Sequence, residues 1–142
     1  MSANVLNVRD LSVHYRTEAG ELQALRHVNL KVPKGSIVGV VGESGCGKST
    51  LISAVIRLLA ENAVIPNGSI DFEDQDLLQL TTEQMRSIRG KSMSVVFQDP
   101  MSTLNPVQSI GRQMLDIQYR EKSSRAEKQA VSYTHLTLPT KA

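Results

Sequence analysis

Tryptophan is absent and aromatic residues make up only 4% of the chain, so the stacking platforms on which single-strand binders lay successive bases are missing. Charge of one sign is also scarce: 16 basic residues stand against 14 acidic ones, spread along the chain for a formal net of +2, and no basic stripe forms. No nucleic-acid partner is expected. The one cysteine, Cys46, has no second thiol to pair with, which excludes an internal disulfide and suits a reducing cytoplasm. No apolar run approaches the roughly 20 residues of a bilayer span, and the opening "MSANVLNVRD" has no signal-peptide core. Membrane association is expected only through a partner. What is present, 142 residues at 40% hydrophobic and 21% charged, is enough for one ordinary domain that buries roughly two thirds of its unfolded surface.

The apolar pattern changes period along the chain. "NVLNVRDLSVHYRT" alternates at Val5, Leu11 and Val13, and "ELQALRHVNLKV" repeats the alternation through Leu25, Val28, Leu30 and Val32, so two antiparallel strands are expected with a hairpin turn at "AGE". "VPKG" then breaks the chain before "SIVGVV", a near-continuous apolar run that reads as a strand buried on both faces. A helix is expected after residue 50, apolar at Leu51, Ile52, Val55, Ile56, Leu58 and Leu59, ending before "IPNG". "SIDFED" reads as a short strand, and "TTEQMRSIRG" as a helix with Thr81 and Gln84 forming a capping box and Gly90 closing it. "MSVVF" reads as a second buried strand leading to the turn "QDPMSTLNP". From Pro106 to about Tyr119, Val107, Ile110, Met114 and Ile117 recur at helical spacing.

Between the first buried strand and its helix lies "GESGCGKST", which matches G-x-x-x-x-G-K-[ST] at Gly42, Gly47, Lys48 and Ser49 in the strand-loop-helix setting the motif requires. Glycines there let the backbone curl so that amide N–H groups of Glu43, Ser44, Gly45, Cys46 and Gly47 can point at phosphate oxygens, and the helix adds its positive end. Lys48 would reach the β and γ phosphates, Ser49 would complete a Mg²⁺ shell, and Thr50 would reach the α phosphate. ATP with Mg²⁺ is the ligand this chemistry fits. Gln98 ends the second apolar run. Taken alone it reads as a turn residue; beside a phosphate cradle, a neutral amide at a strand's carboxyl end can meet both metal and attacking water. Tyr15, alone, reads as a core or edge tyrosine.

With these motifs in hand, residues 1 to about 129 resemble the amino-terminal half of an ABC-transporter ATP-binding subunit. "GESGCGKST" and "FQDPMSTLNP" are most similar to the importers of oligopeptides, dipeptides and nickel. The resemblance implies an α/β P-loop NTPase of ABC type, amino-terminal half only: an antiparallel β subdomain, part of the parallel-sheet core and the start of the helical subdomain. It implies that Gly42 to Thr50 are the Walker A loop, that Gln98 is the Q-loop glutamine, and that Tyr15 stacks on adenine. It also implies transmembrane permease subunits, a second ATP-binding subunit and, indirectly, a periplasmic or extracellular substrate-binding protein as partners, at the cytoplasmic face of the membrane.

The same resemblance calls for a serine-glycine-glycine signature loop, a Walker B aspartate, a catalytic glutamate and a switch histidine, and none appears in these residues. Asp99 and Asp116 follow no apolar strand that would aim a carboxylate at a metal, and His14, His27 and His135 read as structural or solvated. The tail offers an explanation: Val131 to Thr140, "VSYTHLTLPT", resembles the translation of a transposon-type sequencing adapter, so residues 130–142 are expected to be non-native and the 142-residue chain to lack turnover. The alternative for the tail is a natural β-prone segment with Thr and Leu alternating. Three function classes stay open: the energising subunit of a peptide or nickel importer, an ABC-type ATPase of a soluble complex such as phosphonate lyase, and a regulatory domain that binds nucleotide without using it.

Overall fold

A computed structural model describes residues 3–97, 104–118 and 122–136, the last four by backbone alone. The chain divides into two compact units, Met1–Ser94 and Val95–Ala142.

The first unit is built on the expected hairpin. Strands β1 (Asn4–Thr17) and β2 (Gly20–Pro33) pair antiparallel from Asn4↔Pro33 to Thr17↔Gly20, so the turn is Glu18-Ala19. Gly20 takes a φ of 120°, and the Thr17 hydroxyl donates to its carbonyl at 2.6 Å, which closes the turn. The register slips between Val8 and Leu11 and again between Leu11 and Val13; Asp10 at the first slip and His27 at the second adopt left-handed φ values of 50° and 48°. This bulge is held by side chains: His27 Nδ1 lies 2.7 Å from Asp10 Oδ1, and Asn67 Nδ2 donates to Asp10 O at 2.6 Å. The other edge of β1 takes β3 (Ala63–Val64) at His14 and Tyr15 and β4 (Ser69–Phe72) at Leu6 to Arg9, and β4 pairs with β5 (Gln75–Asp76). Gly68, between β3 and β4, passes so close to β1 that an added Cβ would lie 2.6 Å from Leu11 Cα.

Two helices complete this unit. α1 (Lys48–Val55) buries Leu51, Ala54 and Val55 against Val8, Leu11, Val13, Leu25 and Ile70 of the sheet, with Leu77 and Met85 in the same core. The apolar stripe is narrower than the sequence pattern suggests, since Ile52 and Leu58 are exposed and the helix stops at Val55. α2 (Thr82–Ile88) starts with the expected capping box: Gln84 N donates to Thr81 Oγ1 at 3.3 Å and Thr81 N to Gln84 Oε1 at 2.8 Å.

The parallel-sheet core departs from expectation. Residues 37–41 form no ladder, and Ile37 and Val41 are fully exposed at 101% and 97%. In "MSVVF" only Met93 makes a bridge, to Arg89, and Val96 and Phe97 are exposed. A strand apolar on both faces is stabilised by neighbours on either side and layers above and below. Among the described residues the sheet is antiparallel and reaches neither run.

In the second unit, α3 (Ile110–Ile117) starts four residues later than Pro106, because Ser109 caps it by accepting from Arg112 N at 3.4 Å. None of its residues is buried. α4 (Arg125–Leu136) runs through Val131, so residues 131–136 are helical rather than β-prone. Ser124 and Glu127 cap it: the Ser124 amide and then its hydroxyl donate to the Glu127 carboxylate, which holds that carboxyl below its usual range. Gln118 ties the two helices by donating to Met114 O and Lys128 O, both at 3.1 Å.

Candidate phosphate-binding loop

The loop Gly42–Thr50 is shaped by where side chains cannot go. Gly47 is the N-cap of α1 with φ 96°, and a Cβ there would lie 2.8 Å from both Ala24 O and Leu25 Cδ2. Strand β2 therefore backs the loop at close range, and neither the backbone angle nor the space admits another residue. Gly45, φ 81°, needs glycine for its angle alone, since nothing stands within 4 Å of an added Cβ. At Gly42 the constraint is Cys46, whose Sγ would be 2.6 Å from a Cβ. Cys46 N donates to Glu43 O at 3.3 Å, which rounds the turn over Ser44 and Gly45.

Leu51 N donates to Gly47 O at 2.9 Å as the first bond of α1, so the N–H groups of Lys48, Ser49 and Thr50 precede the helical ladder. Glycine at the N-cap offers them no side-chain acceptor and the first turn holds no acidic residue, which leaves the helix's positive end to an external anion. The Lys48 ammonium folds over the loop, donating to Gly42 O at 2.7 Å and Glu43 O at 2.6 Å, with Cys46 Sγ at 3.5 Å. Ser49 is exposed and Thr50 half-buried. First-turn amides outside the helical ladder, an ammonium over the loop and a hydroxyl on the exposed Ser49 are donors of the kind a triphosphate takes. Among the described residues no group of three or more His, Cys, Asp or Glu could hold a metal by itself, so a Mg²⁺ here would take Ser49 Oγ together with phosphate oxygens.

Of the other anticipated residues, Tyr15 sits on β1 opposite Leu22, in the hairpin whose β2 backs Gly47, and it packs half-buried against the core. Gln98 lies outside the described residues. His14 and His27 face surface carboxylates, Glu21 and Asp10. Sequence reasoning missed Ala24 and Leu25 as the backing of the loop; only the glycine requirement at position 47 hints that something stands behind it.

Curled glycine loop, lysine and helix end together make a candidate phosphate-binding site beside an antiparallel sheet. The chain belongs to the ABC transporter family, which matches residues 25–140. It is 42% identical over 125 residues to a probable peptide ABC transporter ATP-binding protein, y4tR, of Sinorhizobium fredii, covering 87% of this chain and 37% of that protein. It is 39% identical over 136 residues to the oligopeptide transport ATP-binding protein OppD of Bacillus subtilis, covering 93% of this chain and 38% of that protein. The chain thus spans under two fifths of the length of these relatives. Its fold is similar to a dimeric post-hydrolysis structure of the ATP-binding cassette MJ0796 with ADP and Pi, at TM-score 0.71 and 22% identity, covering 90% of this chain and 54% of that one. The fold is that of an ABC ATP-binding cassette, of which this chain carries about half.

Proposed function

We propose that this chain is the ATP-binding part of an ABC importer subunit that couples ATP binding and hydrolysis to peptide uptake. The observation that carries the reading is the Lys48 ammonium poised over a loop whose Gly47 admits no Cβ beside Ala24 and Leu25 and whose Gly45 holds a left-handed angle. Peptide and oligopeptide transport ATP-binding proteins and putative peptide import proteins among the relatives support the substrate class, and the ADP and Pi bound to the MJ0796 cassette support the ligand.

In this reading Lys48 exchanges the carbonyls of Gly42 and Glu43 for β and γ phosphate oxygens, a charge-assisted exchange. The first-turn amides and those of residues 43–47 hold the phosphates, Thr50 meets the α phosphate, and Ser49 holds Mg²⁺ with Gln98. Bound Mg²⁺ supplies charge neutralisation on the β and γ phosphates. Tyr15 stacks on the adenine. The partners are permease subunits, a second ATP-binding subunit and, through them, a substrate-binding protein, with the cassette at the cytoplasmic face of the membrane; among the described residues no helix is long and apolar enough to cross it. The residues from Ala130 onward are adapter-derived, and the 142-residue chain binds nucleotide without turnover.

The test is titration of the chain with a fluorescent ATP analogue and Mg²⁺. Lys48→Ala removes charge-assisted bonding worth about 1.5–3 kcal/mol net of the loop carbonyls given up, so affinity falls roughly ten- to hundredfold. Equal affinity in the two proteins overturns the assignment, and release of phosphate by the wild-type chain overturns the claim of no turnover.

A further inference from the structure

We propose that Arg57 and Arg89 are positioning residues for the nucleotide site, a reciprocal clasp that fixes the carboxyl end of α1 and thereby the phosphate loop at its amino end. The proposal rests on the nucleotide reading of residues 42–50. α1 closes with Leu58 N donating to Ser53 O at 2.8 Å and Arg57 N to Ala54 O at 3.0 Å, the paired bonds of a Schellman closure. That closure puts the residue after the C-cap in the left-handed region, where glycine is the default. Here the residue is Arg57, with φ 53°. A strained side chain at such a position persists where its surroundings hold it, and Arg57 Nη1 is held by Leu77 O at 3.1 Å and by Leu80 O.

Arg89, the C-cap of α2, reaches back in the opposite sense: Nε donates to Ile56 O at 2.8 Å and Nη2 to Arg57 O at 2.7 Å. Those carbonyls are at the end of α1, where the helical ladder supplies no donors and the dipole favours a cation. Arg89 is itself anchored, its amide donating to Met85 O at 3.0 Å and its backbone bridging to Met93. Both arginines are half-buried. The division of labour follows from the forces: Leu51, Ala54 and Val55 hold α1 laterally by apolar contact, which tolerates sliding along the axis, whereas the directed bonds of two guanidinium groups, a fork from Arg89 and a shared Nη1 from Arg57, set the axial position. α1 has eight residues, roughly 12 Å at 1.5 Å per residue, so a shift at the clasp moves Lys48 and Ser49 with it.

The test uses nitrogen-15 amide spectra and fluorescent Mg-nucleotide titration of the whole 142-residue chain. Arg57→Gly separates clasp from closure: glycine is the residue the closure prefers, so a purely local role predicts unchanged loop resonances and affinity. The clasp predicts that Arg57→Gly, Arg89→Ala and Arg89→Lys, the last keeping charge without the fork, each move the Gly45, Gly47 and Ser49 resonances before nucleotide is added and weaken binding by roughly 2- to 30-fold. Val8→Ala, a core truncation on β1, serves as the control for lost stability. Loop resonances of all three arginine variants coinciding with those of wild type, or moving only as far as in Val8→Ala, overturn the clasp. Equal nucleotide affinity in wild type and Lys48→Ala instead overturns the phosphate reading, and the resonances obtained before nucleotide addition still decide the clasp.

Discussion

The three glycines of the loop make separable demands, so alanine at each position tests the geometry in a graded way. At Gly47 two costs add. A left-handed backbone with a side chain costs about 1–2 kcal/mol, and the new Cβ, 2.8 Å from Ala24 O and Leu25 Cδ2, must displace a strand carbonyl or a buried leucine, an overpacking cost of about 1–3 kcal/mol. Gly47→Ala is therefore expected to destabilise the chain by about 2–5 kcal/mol. Gly45→Ala meets open space and pays for its angle alone, about 1–2 kcal/mol. At Gly42 the backbone is not left-handed, and the obstacle is the far end of the exposed Cys46 side chain, which can rotate away. Gly42→Ala should fall within about 0.5 kcal/mol of wild type, and in a Cys46→Ala background its residual cost should vanish, because the Sγ at 2.6 Å is the close contact while Cys46 Cβ at 3.9 Å is an ordinary one. Urea unfolding of the four variants measures this order. Gly45→Ala as damaging as Gly47→Ala would refute the claim that β2 presses on the loop, and a Gly42→Ala cost that persists without the thiol would refute the assignment of that constraint to Cys46.

The His27 hydrogen bond, helped by Asn67, holds the Asp10 carboxyl below its usual range. Its contribution is present above the unfolded value of about 3.9 and is lost as pH falls through the folded value. Urea midpoints measured from pH 6 to pH 2 should fall more steeply for wild type than for Asp10→Asn, and parallel curves would count against the bulge pairing. Thr81→Ala removes one half of the capping box of α2 and should cost about 1 kcal/mol by the same unfolding measurement; no change would mean that burial of Met85 alone holds that helix.

What was legible in the sequence was set at short range. The β1–β2 hairpin, the Thr81 capping box and the loop glycines are specified by residues a few positions apart; the capping box forms as its pattern placed it, and the hairpin forms with its turn at Glu18-Ala19, ahead of the "AGE" expected, since Gly20 and Glu21 already pair with β1. The two apolar runs at 37–41 and 93–97 were read as strands because a continuous apolar run carries no information about what pairs with it. Parallel pairing depends on distant strands, and the described sheet offers none to these runs. The α3 stripe of Ile110, Met114 and Ile117 was legible as a helix for the same local reason, yet the pattern could not say whether that stripe is covered, and none of it is buried. Arg57 was invisible for another reason: a left-handed arginine breaks the glycine rule that makes helix ends readable, and its justification lies in carbonyls 20 and 23 residues away.

That same distinction bears on why Lys48 is held as it is. An ammonium has three protons and no acceptor, and here they meet two main-chain carbonyls of the very loop it must serve, at 2.6 and 2.7 Å. Gly42 and Glu43 are exposed, so carbonyls released by the lysine can be taken up by water at little cost. A phosphate oxygen offers the ammonium an ionised partner in place of a neutral one, which adds the attraction of opposite charges to the hydrogen bond. The exchange therefore favours the anion without a large rearrangement. The carbonyls hold the side chain over the curl and spare binding part of the rotamer entropy a free lysine would lose, up to about 2 kcal/mol. In the proposed function the lysine is both ligand and strut, and the loop's shape and its affinity depend on the same ammonium.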